Sequence, residues 1–325
     1  MARVTREDRL ALVLYIGVAV ALGFVDFRVR PGNLQAYPVT QYIPGVLSGT
    51  YGAPATYRVL APFLTDLFTR ITGVDALVGF VVTRLVFIYA ALAALHAYAR
   101  HWYSPGATLG STLGVAALLP LTFTNGWANP DSFPELFLFT LGCLLVARRN
   151  DLLFFLVLVV ATLNRETAVF LVLLWACYRL PGSWSRADLA RLAGFALTWL
   201  AICAGLRWIR GFQSYDYFMF WQNLDAFRPV PPGYDPYRRV FGYFWLALLV
   251  IPGWLAVRAS RMPGVPAFMK RVLPVAAALV VACFLISKVI EARIFVPMFP
   301  LLLPGVVWVF AGPGSGEPAR PGNHA

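Results

Sequence analysis

Charge is scarce in this chain. Asp, Glu, Lys and Arg make up 13% of its 325 residues, about half the share of a soluble domain. Lys270 and Lys288 are its only lysines. The three histidines, His96, His101 and His324, are too few and too scattered for a zinc protease, and no HExxH occurs. A GxSxG elbow, a Ser/His pairing and a Walker loop are also missing, which argues against hydrolase and ATPase chemistry. Cys143, Cys177, Cys203 and Cys283 sit in apolar stretches without CxxC spacing. They are expected to be buried thiols, and no metal-ligand set is assigned.

What the chain has is hydrocarbon. Apolar residues reach 59%, and several separate runs approach or exceed the length that reads as a membrane helix. The runs do not alternate as barrel strands do. The fold class is therefore all-α, a polytopic helical membrane protein of about ten membrane segments. The net charge of +12 is almost wholly arginine. In a soluble protein that balance would suggest nucleic acid. Here positive inner loops that orient the helices explain it, and nucleic acid is not an expected partner.

Read along the chain, a first, uncleaved span covers about 10–27, behind Arg3, Arg6 and Arg9. An outer loop follows at about 28–73, and its part 57–71 has the amphipathic pattern of a surface helix. Further spans are expected at about 74–98, 107–123, 133–147, 192–208, 240–257, 272–287 and 294–311. A second outer loop lies at about 210–239. Residues 1–312 form one transmembrane domain, and 313–325 form a disordered cytoplasmic tail. Both termini are expected in the cytoplasm, in the inner membrane of a bacterium.

One stretch breaks the pattern. Residues 160–169, VATLNRETAV, put Asn164, Arg165, Glu166 and Thr167 inside a long apolar run. Arginines flank the run on both sides. A helical hairpin that enters from inside and turns at NRET satisfies the flanks; one long tilted helix is the rival. Polar backbone at that depth needs burial in protein or a wet cavity.

Intramembrane charges each need a reason. Asp26 ends the first span, as an interfacial helix-end carboxylate or as a general base. Asp131, in WANPDSFPE, either caps the following helix or faces a substrate, with Glu135 one turn on. Arg84 interrupts the second span and needs an internal acid, for which Glu166 is the first candidate. Arg84 and that acid then fix helix positions as a buried ion pair, or Arg84 and Arg165 make part of a phosphate-binding floor. Tyr57 and Arg58 open YRVLAPFL; Lys288, Glu291 and Arg293 lie in SKVIEARIFVPMFP. Outward cations of this kind call for an anionic lipid headgroup or a polyprenyl phosphate as ligand.

Together, Asp26, the long first outer loop, Asp131, the many short spans and EARIFVPMFP resemble the GT-C superfamily of integral-membrane glycosyltransferases. YRVLAPFL and NRETA also look like signatures of bacterial multispanning proteins grouped near it. The resemblance implies a polyprenyl-phosphate sugar as donor and a glycan, lipid or protein as acceptor, with membrane lipids around the chain. It implies Asp26 as catalytic base, Asp131 as a residue placing donor or acceptor, and outer arginines on the phosphate. The chain has Asp26–Phe27 rather than two adjacent acids, so the use of a divalent metal ion stays open. A transporter or flippase of a lipid-linked or anionic solute is the alternative, since broken helices also serve transporters; an envelope scaffold is the third.

Overall fold

A computed structural model describes residues 5–29, 36–123, 130–179, 185–214, 218–225, 249–289 and 291–312. Among these the chain is helical, with no strand. Four helices are long and apolar enough to cross a membrane: Arg6–Val29 (α1), Ala76–Ala99 (α4), Arg186–Arg210 (α9) and the pair Ala267–Arg271 (α12) and Leu273–Ile286 (α13). That fits a helical membrane protein. Shorter apolar helices are Ser132–Ala147 (α6), Asp151–Asn164 (α7), Leu249–Ser260 (α11) and Met298–Ala311 (α14).

The distribution of apolar residues separates centre from rim. In α6 all residues but Phe137 and Leu141 are buried, charged Glu135 included. A helix apolar all round belongs at the middle of a bundle, and α6 packs chiefly on α4 and α7. By contrast, α1 exposes Leu10, Val13, Ile16, Val20 and Phe24, and α9 exposes Leu197, Leu200, Trp208 and Ile209. Patches of that extent suit hydrocarbon better than water.

Glycine permits several close crossings, among them one on α6 and one on α14. A Cβ on Gly142 of α6 would meet the Leu171 side chain at 2.8 Å. One on Gly305 of α14 would meet the Ala256 backbone of α11 at 2.9 Å. Pro304 lies inside α14 and lacks the N–H that would bond the carbonyl of Pro300. The Tyr98 hydroxyl of α4 donates to that carbonyl instead, at 2.9 Å.

The NRET stretch forms a hairpin. Arg165 is extended (φ −164°, ψ 144°), Glu166–Ala168 makes a single 3-10 turn, and Val169–Arg179 (α8) runs back. Trp175 Nε1 donates to Asp151 Oδ1 at 2.9 Å and Arg179 Nη2 to Oδ2 at 3.3 Å. In one continuous helix Asp151 and Trp175 would stand about 36 Å apart.

The first expected outer loop holds structure of its own. A π-helical turn at Pro38–Tyr42 leads into Ile43–Ser48 (α2), a 3-10 turn at Ala55–Tyr57 and Leu60–Thr72 (α3). α3 buries Ala61, Pro62 and Thr65 and exposes the stripe Phe63, Leu67 and Ile71. Pro105–Leu118 (α5) and the 3-10 turn Leu119–Thr122 cover the third expected span. In the second expected outer loop, Phe220–Asp225 (α10) is described. The span expected at 240–257 is described only from Leu249, and the expected tail 313–325 lies outside the described residues. The four cysteines are free thiols; Cys143, Cys203 and Cys283 are buried as their setting suggested, whereas Cys177 is half-buried.

Candidate functional site

Three chain segments far apart in sequence meet at one end of α6. The start of α6 supplies Asp131 and Glu135, the hairpin tip supplies Asn164 to Thr167, and the turn after Tyr57 supplies Arg58. Arg58 Nη1 donates to Asp131 Oδ2 at 3.0 Å, and its Nε lies 3.7 Å from Glu166 Oε2. Arg165 Nη1 donates to Glu135 Oε2, and its Nε lies 3.7 Å from Asp131 Oδ2. Thr167 Oγ1 donates to Glu135 Oε1 at 2.5 Å, and Asn164 Nδ2 to the Asp131 carbonyl at 3.0 Å.

The break in the hairpin explains this convergence. Extended backbone at Arg165 turns its side chain across to α6, and Asn164, the last residue of α7, reaches the same turn. α9 closes one flank. Arg207 Nη2 lies 3.8 Å from Glu166 Oε1, its guanidinium sits 4.8 Å from the Tyr57 ring centre, and Trp199 Nε1 donates to the Glu166 carbonyl at 3.0 Å. Behind it, Tyr57 donates to the Gly211 carbonyl at 2.9 Å and accepts from Gln213 N at 3.1 Å. Gln213 Oε1 in turn accepts from Ala53 N at 2.7 Å. Ala292–Phe295, a 3-10 turn before α14, brings Arg293, whose Nε and Nη2 donate to Glu291 Oε2 at 3.1 and 2.5 Å.

Four arginines (58, 165, 207, 293) here face four acids (131, 135, 166, 291). A balanced set is what burial away from water demands, because an unpaired buried charge is costly. Asp131 is fully buried. Burial pushes its carboxyl up, but Arg58, Arg165 and Arg293 outweigh that and hold it below the usual carboxylate range.

Charge balance does not mean that every bond is made. Arg58 Nε, Arg165 Nε, Arg293 Nη1, Asp131 Oδ1, Asn164 Oδ1 and Glu166 Oε1 are buried without a hydrogen-bond partner among the described residues, as are the Tyr42 and Thr56 hydroxyls. Most buried polar atoms in native proteins are paired. The remainder here contains donors and acceptors together, on residues that are nine-tenths or more buried apart from Glu166. Such a set can hold a guest that both gives and takes hydrogen bonds.

Asp26 and Arg84 stand beside this cluster as a pair. Arg84 Nε donates to Asp26 Oδ2 at 2.5 Å and Nη2 to Oδ1 at 3.1 Å, both residues being buried. Arg84 also sits over Phe133, 4.7 Å from its ring centre and two residues beyond Asp131. The sequence pointed to Glu166 as its acid, and that pairing is corrected. α1 packs against α4, which puts Asp26 level with Arg84, while Glu166 is turned to Arg58 and Arg207.

Of the two roles the sequence left open for Asp131, the side-chain cap is not made. It occupies the N-cap position of α6, but its side chain makes no cap bond and goes to Arg58. Of the remaining sequence candidates, Tyr57, Arg58, Asn164, Arg165 and Glu166 lie in the cluster. Glu291 and Arg293 are paired to each other at its edge. Lys288 is exposed and makes no ion pair with a described residue. Among the described residues no group of His, Cys, Asp and Glu is arranged to hold a metal ion.

Sequence reasoning missed Tyr42, Gln213 and Asn223, and gave Thr167 no role of its own. Asn223 of α10 holds the end of α13 by donating to the Phe284 and Ser287 carbonyls at 2.6 and 2.7 Å. Single polar residues inside aromatic-rich loops carry no spacing signal that would have marked them. No protein-family profile, curated protein or solved structure matches the chain.

Proposed function

We propose that this chain is a membrane glycosyltransferase that moves a sugar from a polyprenyl-phosphate donor to an envelope glycan, lipid or protein. Its shape in this reading is GT-C-like: about ten membrane segments, both ends cytoplasmic, in a bacterial inner membrane, with the polar cluster at the outer face. The observation that carries the reading is the set of buried donors and acceptors at one end of α6 that have no hydrogen-bond partner among the described residues. A sugar ring with its hydroxyls offers the matching mixture of hydrogen-bond roles.

In this reading the acceptor hydroxyl attacks the anomeric carbon and its proton passes to Asp26. The bond from that carbon to the phosphate oxygen breaks, polyprenyl phosphate leaves, and the configuration inverts. Arg84 orients Asp26 as a bidentate partner. Arg58, Arg165 and Arg293 supply positive charge where the phosphate oxygen gains negative charge.

The test is mass spectrometry of lipid-linked and envelope glycans in cells lacking the protein, complemented with wild type or Asp26→Asn at matched expression. The expected result for the variant is loss of one sugar from the acceptor and accumulation of the donor. Full restoration by Asp26→Asn would remove the base assignment. In purified protein, Arg165→Ala is expected to weaken polyprenyl-phosphate-sugar binding at least about fourfold, a loss of about 0.8 kcal/mol.

The hairpin supports a second reading. A helix broken at charged residues is also a device of transporters, so the alternative is a transporter or flippase of a lipid-linked or anionic solute. Unaltered glycan transfer with lost movement of the lipid-linked sugar across vesicles would favour it.

A further inference from the structure

One wall of the polar cluster comes from the first expected outer loop. Tyr42 ends the π-helical turn, and Thr56 lies in the 3-10 turn two residues before Arg58; both are buried. Tyr42 packs with Ile43, Val46, Ala55 and Phe80 in one small apolar group. Phe80 lies 5.9 Å from the Arg84 guanidinium, so this group borders the Asp26–Arg84 pair. The Tyr51 ring stands edge-on to Tyr42, 5.0 Å between centres. The charged groups that act on Tyr42 are Asp131, Arg58 and Arg293.

The tyrosines of this wall differ in one respect. The Tyr37 and Tyr51 hydroxyls meet each other at 2.7 Å, and Tyr57 is bonded to Gly211 and Gln213. The Tyr42 and Thr56 hydroxyls are buried with no partner among the described residues. A buried hydroxyl without a bond opposes folding, because its hydration is lost and nothing replaces it. Phenylalanine and valine would fill the same spaces without that loss. Packing therefore does not explain the two hydroxyls, whereas a bound molecule that bonds to them does.

Asp131 decides which part of such a molecule meets them. Its Oδ1 is also buried without a hydrogen-bond partner among the described residues, and a carboxylate oxygen only accepts. A phosphate dianion has no hydrogen to give and is repelled by that charge. A sugar hydroxyl gives its hydrogen to the carboxylate and takes one from tyrosine or threonine. Asn164 Oδ1 is a second buried acceptor in the cluster with the same need.

Resting on the transferase reading above, we propose that Tyr42 and Thr56 are sugar-contacting residues, whose hydroxyls join Asp131 Oδ1 in holding hydroxyl groups of the donor's sugar ring and not its phosphate. The first outer loop then selects the sugar, while the arginines serve the phosphate. The two hydroxyls weaken the protein alone and strengthen its complex.

The experiment uses the full chain in lipid nanodiscs and two kinds of probe. One is bare decaprenyl phosphate; the other is the same lipid carrying one glucose, mannose, galactose or arabinose. Wild type is expected to hold at least one sugar-bearing lipid more tightly than the bare one. Tyr42→Phe and Thr56→Val should each weaken that sugar-bearing lipid roughly 3–10-fold, the worth of one neutral hydrogen bond, and leave the bare lipid unchanged. With no probe added, both variants should unfold at a Tm equal to or above wild type. Tyr98→Phe is the comparison, because the Tyr98 hydroxyl is buried and already donates to the Pro300 carbonyl. It should lower Tm and leave both affinities as they are. Each variant tests the proposal alone if the other does not fold. An undiminished affinity for the sugar-bearing lipid in either folded variant overturns the inference and leaves the transferase reading standing. So does an equal loss for the bare lipid, or a fall in Tm as large as that of Tyr98→Phe, which would mark the hydroxyl as part of a structural bond. If wild type holds no sugar-bearing lipid more tightly than the bare one, the transferase reading fails and the inference fails with it.

Discussion

Arg84 holds both carboxylate oxygens of Asp26, at 2.5 and 3.1 Å, across the contact between α1 and α4. Replacing Arg84 by Ala removes both of these bonds from a buried carboxylate, and the expected cost is about 3–5 kcal/mol. Arg84→Lys keeps the charge but not the two-pronged geometry, so it should recover only part. The double variant Asp26→Asn with Arg84→Met should unfold at higher temperature than Arg84→Ala. Additive losses in that thermal-unfolding comparison would show that the two residues do not act as a pair.

Arg165 serves Glu135 and Asp131 at once. Arg165→Ala should therefore destabilise by about 3–5 kcal/mol, while Thr167→Val, which removes one bond to Glu135, should cost nearer 1–2 kcal/mol. Adding Glu135→Gln to Arg165→Ala should return part of the loss. Denaturant unfolding of the three variants measures the ranking, and equal losses for the Arg165 and Thr167 changes would contradict the contacts described.

Asp131 gives a pH prediction with a definite sign. Its carboxyl is held below the ordinary value in the folded chain. Its contribution to stability is complete above the unfolded value of about 3.9 and is lost as pH falls below that, through the folded value. Wild type should therefore lose stability faster than Asp131→Asn between pH 4 and pH 2, while the variant is weaker throughout at neutral pH. Parallel acid-unfolding curves for the two proteins would count against the Arg58 and Arg165 contacts.

Gly142 and Gly305 should respond differently to the same change. At Gly142 an added methyl meets the end of the Leu171 side chain, which can turn aside. At Gly305 it meets the Ala256 backbone. Gly305→Ala should cost about 1–3 kcal/mol and Gly142→Ala distinctly less, measured by thermal unfolding at fixed detergent.

The helices were written plainly in the sequence, because each long apolar run with arginines at an end has one economical use. Run length and flanking charge favoured a hairpin over one long helix without deciding between them, and Asp151 meeting Trp175 and Arg179 decides it. Partner choice was less legible. Arg84 announced that it needed an acid but not which one, since that depends on which helices lie side by side. Asp131 looked like a cap because short acids before helices usually are; the nearness of Arg58, 73 residues away, overrode the local preference. Gln213 and Tyr42 gave no signal because their roles come from loops folding on each other.

The hairpin also bears on how the chain gets into a membrane. Its tip carries Arg165 and Glu166, and α8 runs back beside α7 to Asp151. Each ionised residue left facing lipid at mid-depth would oppose insertion by about 3 kcal/mol. Glu135, Arg58 and Arg207 remove that opposition only where α6, the turn before α3 and α9 are already in place. In the proposed membrane setting the hairpin is therefore expected to settle last among these parts, after α9 has been synthesised, although α9 follows it in the chain.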